Sequence, residues 1–404
     1  MKKILCIIIS LLITASMISG CSFKNDSGTV PASEESSAEK SSEESSAVPA
    51  SEDPSEEPPA PVPKESSEEP PAPIPEESPE ESPAPVPEES SEESPAPAPE
   101  ESSEDTSQDR FVFQPKVCSA YIEEIFGEAM CETWYNLVDA VMAGENTFAC
   151  PDEETYGWVI GQFPDRCFPV LLDLIEPAYD RNHPVKDGVA SFTWLVPPEE
   201  AAVRIEEFST QIEGILNEAL ETDYSDCEKA LALYDYFYRN YVYDYDTFEL
   251  MYKEFVDLRT IDFFTRGTGV CQQISNAYSY LLMQTGTDAT IMMGGAHQWS
   301  YVRINGHNYH IDPTFAITNN DSLAYFMMTD EQREATGFDR DSWTIASVYT
   351  QDHPHPDYVA DDNAFQPVWD KYFQRLAPEE NILHCAYNDE NDDWTDFEFD
   401  YAGF

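Results

Sequence analysis

Three side chains stand out for the chemistry their types and spacing allow. They are Cys271 in TRGTGVCQQISNAYSYLLMQTG (265–286), His297 in GGAHQWSYV (294–302) and Asp312 in HIDPTF (310–315). An ionised thiol is a nucleophile, an imidazole can take and return its proton near neutral pH, and a carboxylate can hold that imidazole in one tautomer. Together they would support attack on a carbonyl carbon through a covalent intermediate. Read alone, Cys271 is equally well a buried structural cysteine at a helix start, or half of a disulfide.

The elements that must position these groups can be read from local pattern. After the Gly267-x-Gly269 turn, Ile274, Ala277, Tyr278 and Leu281 recur at helical spacing on the face of Cys271. This places the thiol in the first turn, where free backbone N–H groups and the helix dipole favour a thiolate and could donate to an oxyanion. Downstream, residues 298–304 read as an alternating strand, Asn305-Gly306 as a type I′ hairpin turn, and the following residues to Asp312 as its partner strand. The two-residue loop sets Ile304 against His307 and Trp299 against Asp312. His297, Trp299 and Asp312 then share one face, with His297 and Asp312 diagonal neighbours.

The ordered set of Gly269 and Cys271 at a helix start, His297 and Trp299 on a strand, and Asp312 with Pro313 on the next resembles the transglutaminase-like superfamily of papain-like folds. The resemblance covers about residues 225–330. It implies an α+β fold with Cys271 as nucleophile, His297 as base and acid, and Asp312 as the orienting group. Gln298 departs from the pattern, since alanine more often follows the histidine. Trp299, Gln272 and Tyr243 are the residues expected to meet substrate. The chemistry requires no metal or organic cofactor, and no Cys/His spacing reads as a zinc site.

Around this constellation, residues 118–178 read as mostly helical and VASFTWLV (189–196) as a strand. A long amphipathic helix follows Pro197-Pro198, with Val203, Ile205, Phe208, Ile212, Ile215, Leu216 and Leu220 as its stripe. Ser225 and Glu228 fit a capping box for the next helix. His307 and His310 should point to opposite faces of the hairpin. His353 and His355 read as an exposed loop, and Asn319, Asn320 and Asp321 as a turn.

The chain begins MKKILCIIISLLITASMISGC, a basic then apolar leader ending in small residues before Cys21. This reads as a secretory signal whose end resembles a bacterial lipobox, which implies cleavage before Cys21 and lipidation of its thiol. Residues 24–108 are nearly all Pro, Glu, Ser and Ala, with a twelve-residue repeat starting PAPVPKESSEEP at Pro59. Such repeats carry too few apolar groups for a core and read as a self-repelling polyproline II stalk. Some eighty residues at about 3.1 Å each could reach roughly 250 Å.

The formal charge of −58, from 79 acidic and 21 basic residues, argues against nucleic-acid binding. Export permits disulfides. Of nine cysteines, Cys6 would leave with the signal and Cys21 would take lipid, leaving an odd seven and so a thiol over after up to three bridges.

The sequence thus predicts a signal peptide at 1–20, a stalk at 21–108, a mainly helical extension at 109–224 and a transglutaminase-like catalytic region at 225–404. The expected location is extracytoplasmic and membrane-anchored through lipid, with a surface protein or cell-wall peptide as substrate. The expected reaction is acyl transfer or hydrolysis at amide bonds. The competing reading is an inactive adhesion or ligand-binding module on the same fold.

Overall fold

The computed structural model describes residues 110–177, 185–319, 321–345, 358–389 and 393–404. The leader, Cys21, the repeat segment, Asn320, and His353 and His355 lie outside the described residues.

Helix α1 (Ala120–Phe126) starts where the Ser119 hydroxyl accepts the Tyr121 N–H. α2 (Glu128–Met142) follows after Gly127. β1 (Thr147–Ala149), α3 (Glu153–Gly161), α4 (Pro164–Cys167) and β2 (Val189–Ser191) come next, β1 pairing antiparallel with β2. Over its described part, 118–177, the mainly helical reading therefore holds, with β1 as an interruption. The strand expected at 189–196 is only three residues long. Beyond it, Trp194 makes a single bridge to Ile175 before the prolines.

α5 (Pro198–Ala219) is the long amphipathic helix. Its inner stripe runs Ala201, Ile205, Phe208, Ile212, Ile215, Leu216; Val203, two positions off that stripe, is 56% exposed. α6 (Asp226–Asn240) carries the expected capping box, with Ser225 and Glu228 satisfying each other's backbone N–H. β3 (Val242–Tyr243), α7 (Tyr245–Met251), α8 (Thr260–Arg266) and β4 (Thr268–Gly269) lead to α9 (Cys271–Gln284).

The main sheet is antiparallel. β5 (Asp288–Gly294) pairs with β6 (His297–Ile304), and β6 with β7 (His307–Ile311). After α10 (Pro313–Thr318) and α11 (Asp330–Ala335), β8 (Thr344–Ile345) joins the other edge for the order β7-β6-β5-β8. β9 (Tyr372–Ala377), β10 (Ile382–Asn388) and β11 (Trp394–Asp400) form a separate three-stranded antiparallel sheet.

The hairpin register is the expected one. Asn305 and Gly306 both have positive φ (52° and 81°), as a type I′ turn needs, and Ile304 faces His307. The expected alternation is absent, because β6 is a central strand covered on both faces and buries nearly every residue.

α9 packs on β5 and β6 with other helices behind it, so every residue from Gln273 to Gln284 is buried. Its polar residues are consequently tied down. Ser279 Oγ donates to Thr290 O and lies 2.9 Å from Ser300 Oγ, and the Tyr278 hydroxyl donates to Ala230 O. The Ser279 bonds tie α9 to β5 and β6, and the Tyr278 bond ties it to α6, which together set the position of Cys271 at its head.

Candidate active site

Cys271 opens α9 and is partly exposed, while the other free cysteines of the described residues are buried. The first turn is braced by Gln273, whose Oε1 accepts the Val270 N–H at 3.3 Å and whose Nε2 donates to Arg259 O at 3.0 Å. Gly269 is required by close packing. A Cβ there would stand 2.8 Å from Phe263 Cδ2 and 3.1 Å from Gln273 Oε1.

Tyr243 pairs with Gly269 across the short parallel β3–β4 ladder, and the Asp244 N–H donates to Gly269 O. This brings Tyr243 beside Cys271. Its hydroxyl is pushed well up, first by burial and then by the charge of Cys271. Gln272 follows on the same turn, half-buried.

His297 begins β6, and its Nε2 lies 2.7 Å from Asp312 Oδ2. The imidazole is 13% exposed and the carboxylate fully buried. With Nε2 on the carboxylate, Nδ1 is the nitrogen left to face Cys271, which lies near enough for its charge to act on the ring. Burial alone would lower the imidazole's affinity for a proton. The charges of Asp312 and Cys271, with the hydrogen bond to Asp312, outweigh it and raise His297 from 6.5 to about 9. The ring is walled by Phe338 and Phe315, with centroids at 5.3 and 5.4 Å.

Asp312 is held from two sides. Its N–H donates to Tyr325 O at 2.9 Å, and Arg333 Nη1 of α11 lies 3.0 Å from Oδ2. Burial pushes the carboxyl up, but His297 and then Arg333 more than reverse this and leave it below its ordinary value. The Arg333 guanidinium meets two adjacent rings, 4.0 Å from the Trp299 and Phe338 centroids, which are themselves 5.5 Å apart.

Trp299, expected to meet substrate, is instead withdrawn into the core. It is fully buried, and its indole N–H donates to His310 Nδ1 at 2.8 Å. That bond leaves the proton of neutral His310 on Nε2, which faces Asp330 Oδ1 at 2.8 Å. A buried indole needs such an acceptor, so Trp299 is part of the frame. α11 thus braces the hairpin twice, through Asp330 to His310 and through Arg333 to Asp312.

Gln298 has a packing role that its sequence position did not disclose. Its Nε2 donates across to α9, with Ser275 Oγ and Asn276 Oδ1 each at 2.8 Å and Gln272 O at 3.2 Å. It fastens the strand of His297 to the helix of Cys271.

Sequence reasoning also missed Arg333 and Phe338, and took Asp321 only for a turn. Asp321 does have positive φ (58°), but it is buried. Burial and then the Asp235 carboxyl raise it to about 8. The cysteine arithmetic is corrected as well. Cys118 and Cys131 form the one disulfide among the described residues, and Cys150, Cys167, Cys227, Cys271 and Cys385 are free.

Among the described residues no group of three or more His, Cys, Asp or Glu is placed to hold a metal ion, and no helix is long and apolar enough to cross a membrane. A small pocket touches α9 through Asn276, Ser279 and Met283, but none of Cys271, His297 and Asp312 lines it.

Residues 214–325 match the transglutaminase-like superfamily. Among solved structures, a candidate cysteine protease from Cytophaga hutchinsonii is similar at 21% identity, over 21% of this chain and 30% of that one, with a TM-score of 0.18. A protein described as a TGase is similar at 15% identity, over 44% of this chain and 53% of that one, with a TM-score of 0.24. The chain therefore spans about a third to a half of the structures it matches. No curated protein matches it. The chain carries a transglutaminase-like domain, and its mixed helices and antiparallel sheet are the α+β fold expected.

Proposed function

We propose that this domain is a cysteine-dependent acyl-transfer enzyme acting on carboxamide or peptide bonds. The observation that carries the reading is the His297 Nε2 contact with Asp312 Oδ2, with the partly exposed Cys271 at a helix start near enough for its charge to act on the ring. Near neutral pH the proton rests on His297, and the Cys271 thiolate attacks the carbonyl carbon to give a tetrahedral oxyanion. The Cys271 backbone N–H, free at the start of α9, is a donor for that oxyanion. Collapse expels ammonia or an amine, which leaves with the proton from His297, and a thioester remains. Water or a second amine then gives its proton to His297 and attacks the thioester. The product is an acid or a new amide, and the thiolate is restored. Asp312 keeps the ring oriented and its charge balanced throughout.

We further propose that Cys21 carries lipid and that the repeat segment holds the domain away from a membrane, toward surface proteins or wall peptides. The leader, the small residues before Cys21 and the Pro/Glu/Ser composition support this reading. Cys21→Ala would then release the chain into the medium, and retention on the membrane would end the lipid proposal.

The chemistry is tested by incubating the protein with a glutamine-containing protein and a labelled primary amine, beside Cys271→Ala, and following products by mass spectrometry. Cysteine-dependent amine incorporation identifies a transferase. Cysteine-dependent deamidation or fragments without incorporation identify a hydrolase. Equal behaviour of the two proteins on varied substrates would count against an enzyme.

A further inference from the structure

α7 buries none of its residues, yet it and the turn after it carry large aromatic side chains. Tyr245 and Tyr252 are 62% and 63% exposed, and Phe255 is 63% exposed. A helix this short has little stability of its own. It is held by Asp244, which accepts the Thr247 N–H and hydroxyl at 2.8 and 2.7 Å, and by a ladder of rings. Tyr243 meets Tyr245 at 4.9 Å and Phe248 at 6.0 Å, and Phe248 meets Tyr252 at 5.2 Å. The ladder begins beside Cys271, because Tyr243 is paired with Gly269. It therefore runs from the thiol outward to solvent.

Carboxylates flank the rings. Asp246, Glu249, Glu254 and Asp257 are all exposed along this stretch, and the single base, Lys253, lies 3.7 Å from Glu249. Aromatic faces attract cations and pack the aliphatic stems of lysine and arginine, while the carboxylates pair with the charged ends. An acidic partner is repelled by the same groups.

We infer that the α7 ladder is a docking surface for a lysine- or arginine-bearing polypeptide segment, which it leads to Cys271. The inference deepens the acyl-transfer reading by naming its substrate class, and it rests on that reading only for what happens after docking.

The test reads binding without turnover. The full chain bearing Cys271→Ala is titrated into a fluorescein-labelled lysine–alanine peptide, with a labelled peptide of residues 83–94, the chain's own acidic repeat, as the contrast. Anisotropy should report binding of the lysine peptide and little of the acidic one. Tyr252→Ser with Phe255→Ser should weaken it about tenfold. Asp246→Asn with Glu254→Gln, which leaves the rings in place, should weaken it comparably and flatten its salt dependence. Absence of binding, equal or better binding of the acidic repeat, or indifference to both pairs of substitutions would overturn the inference. Binding that persists in a protein with no turnover on any substrate would instead remove the acyl-transfer reading and leave the docking surface standing.

Discussion

Arg333 Nη1 lies 3.0 Å from Asp312 Oδ2, and both side chains are fully shielded from solvent. Oδ2 is also the atom that faces His297 Nε2. A single carboxylate oxygen thus stands between a guanidinium and an imidazole. The guanidinium also sits in the corner made by Trp299 and Phe338, 4.0 Å from each ring centroid.

Arg333→Met should therefore do more than remove a contact. It leaves a buried carboxylate balanced by His297 alone, and breaking such a pair costs about 3–5 kcal/mol. It also frees the full charge of Asp312 to act on His297, so the alkaline limb of turnover should move above pH 9, the present position of the imidazole. Arg333→Lys keeps the charge but not the broad guanidinium contact with the two rings, and should lose stability with a smaller shift of the limb. Urea denaturation and the pH profile of turnover measure the two effects separately. A stability loss with no movement of the limb would reduce Arg333 to packing.

Asp312→Asn makes the opposite prediction for pH. His297 is raised from 6.5 to about 9 in the fold, so the stability it confers is complete below pH 6.5 and lost as pH rises through about 9. Without the carboxylate the main raising influence is gone, while burial still lowers the imidazole. The alkaline limb of turnover should fall below 9, and stability should cease to decline between pH 6.5 and 9. The rate should drop roughly 10²–10⁴-fold, the usual reach of positioned acid–base catalysis. Turnover across pH and thermal melts at matched pH values test both halves.

What was legible in the sequence was whatever local chemistry specifies. Asn305-Gly306 admits one tight turn, that turn fixes one register, and the register alone brings His297 and Asp312 together. Cys271 was legible because a Gly-rich entry and a helical apolar period meet at it. Arg333 was not, since nothing in EQREATG distinguishes a buried arginine from a surface one. Its burial depends on a short helix, capped by Thr329, folding back under the hairpin. Trp299 was misassigned because an indole beside a catalytic histidine reads as a substrate platform until its N–H is seen to reach His310. Pairing of Cys118 with Cys131 depends on α2 folding back beside the residues just before α1 and bringing the Cα atoms to 6.2 Å, which no count of cysteines reveals.

Gln298→Ala restores the residue more usual in the resembled pattern, and here it should be harmful. Ser275 Oγ, Asn276 Oδ1 and Gln272 O all face Gln298 Nε2 within a buried patch. Losing that donor should cost about 1–3 kcal/mol. Because the bonds tie β6 to the first turns of α9, the Cys271–His297 geometry loosens as well. The expected kinetic signature is a fall in kcat with little change in KM, measured on any substrate the assay in Proposed function identifies. Gln298→Glu, which keeps the length and removes the NH2, should resemble alanine and not wild type.

Thiol chemistry should sort the described cysteines by position. Burial pushes Cys150 up to about 11 and Cys167 and Cys385 up to about 12, and raises Cys227 further, so none offers a thiolate near neutral pH. Cys271 is the partly exposed thiol, and it faces an imidazole that is protonated below pH 9. Brief iodoacetamide treatment of the native protein at pH 6, followed by peptide mapping, should mark Cys271 well before these four, which should react only after denaturation. Cys118 and Cys131 should stay silent until a reductant is added. Their bridge spans 13 residues, and a loop near that length contributes about 3 kcal/mol in the chain-entropy account, so Cys118→Ser with Cys131→Ser should lower the urea midpoint while leaving Cys271 reactive. Equal labelling of Cys271 and the four buried thiols would mean that the sulfur at the head of α9 has no special reactivity, and the acyl-transfer reading would lose its nucleophile.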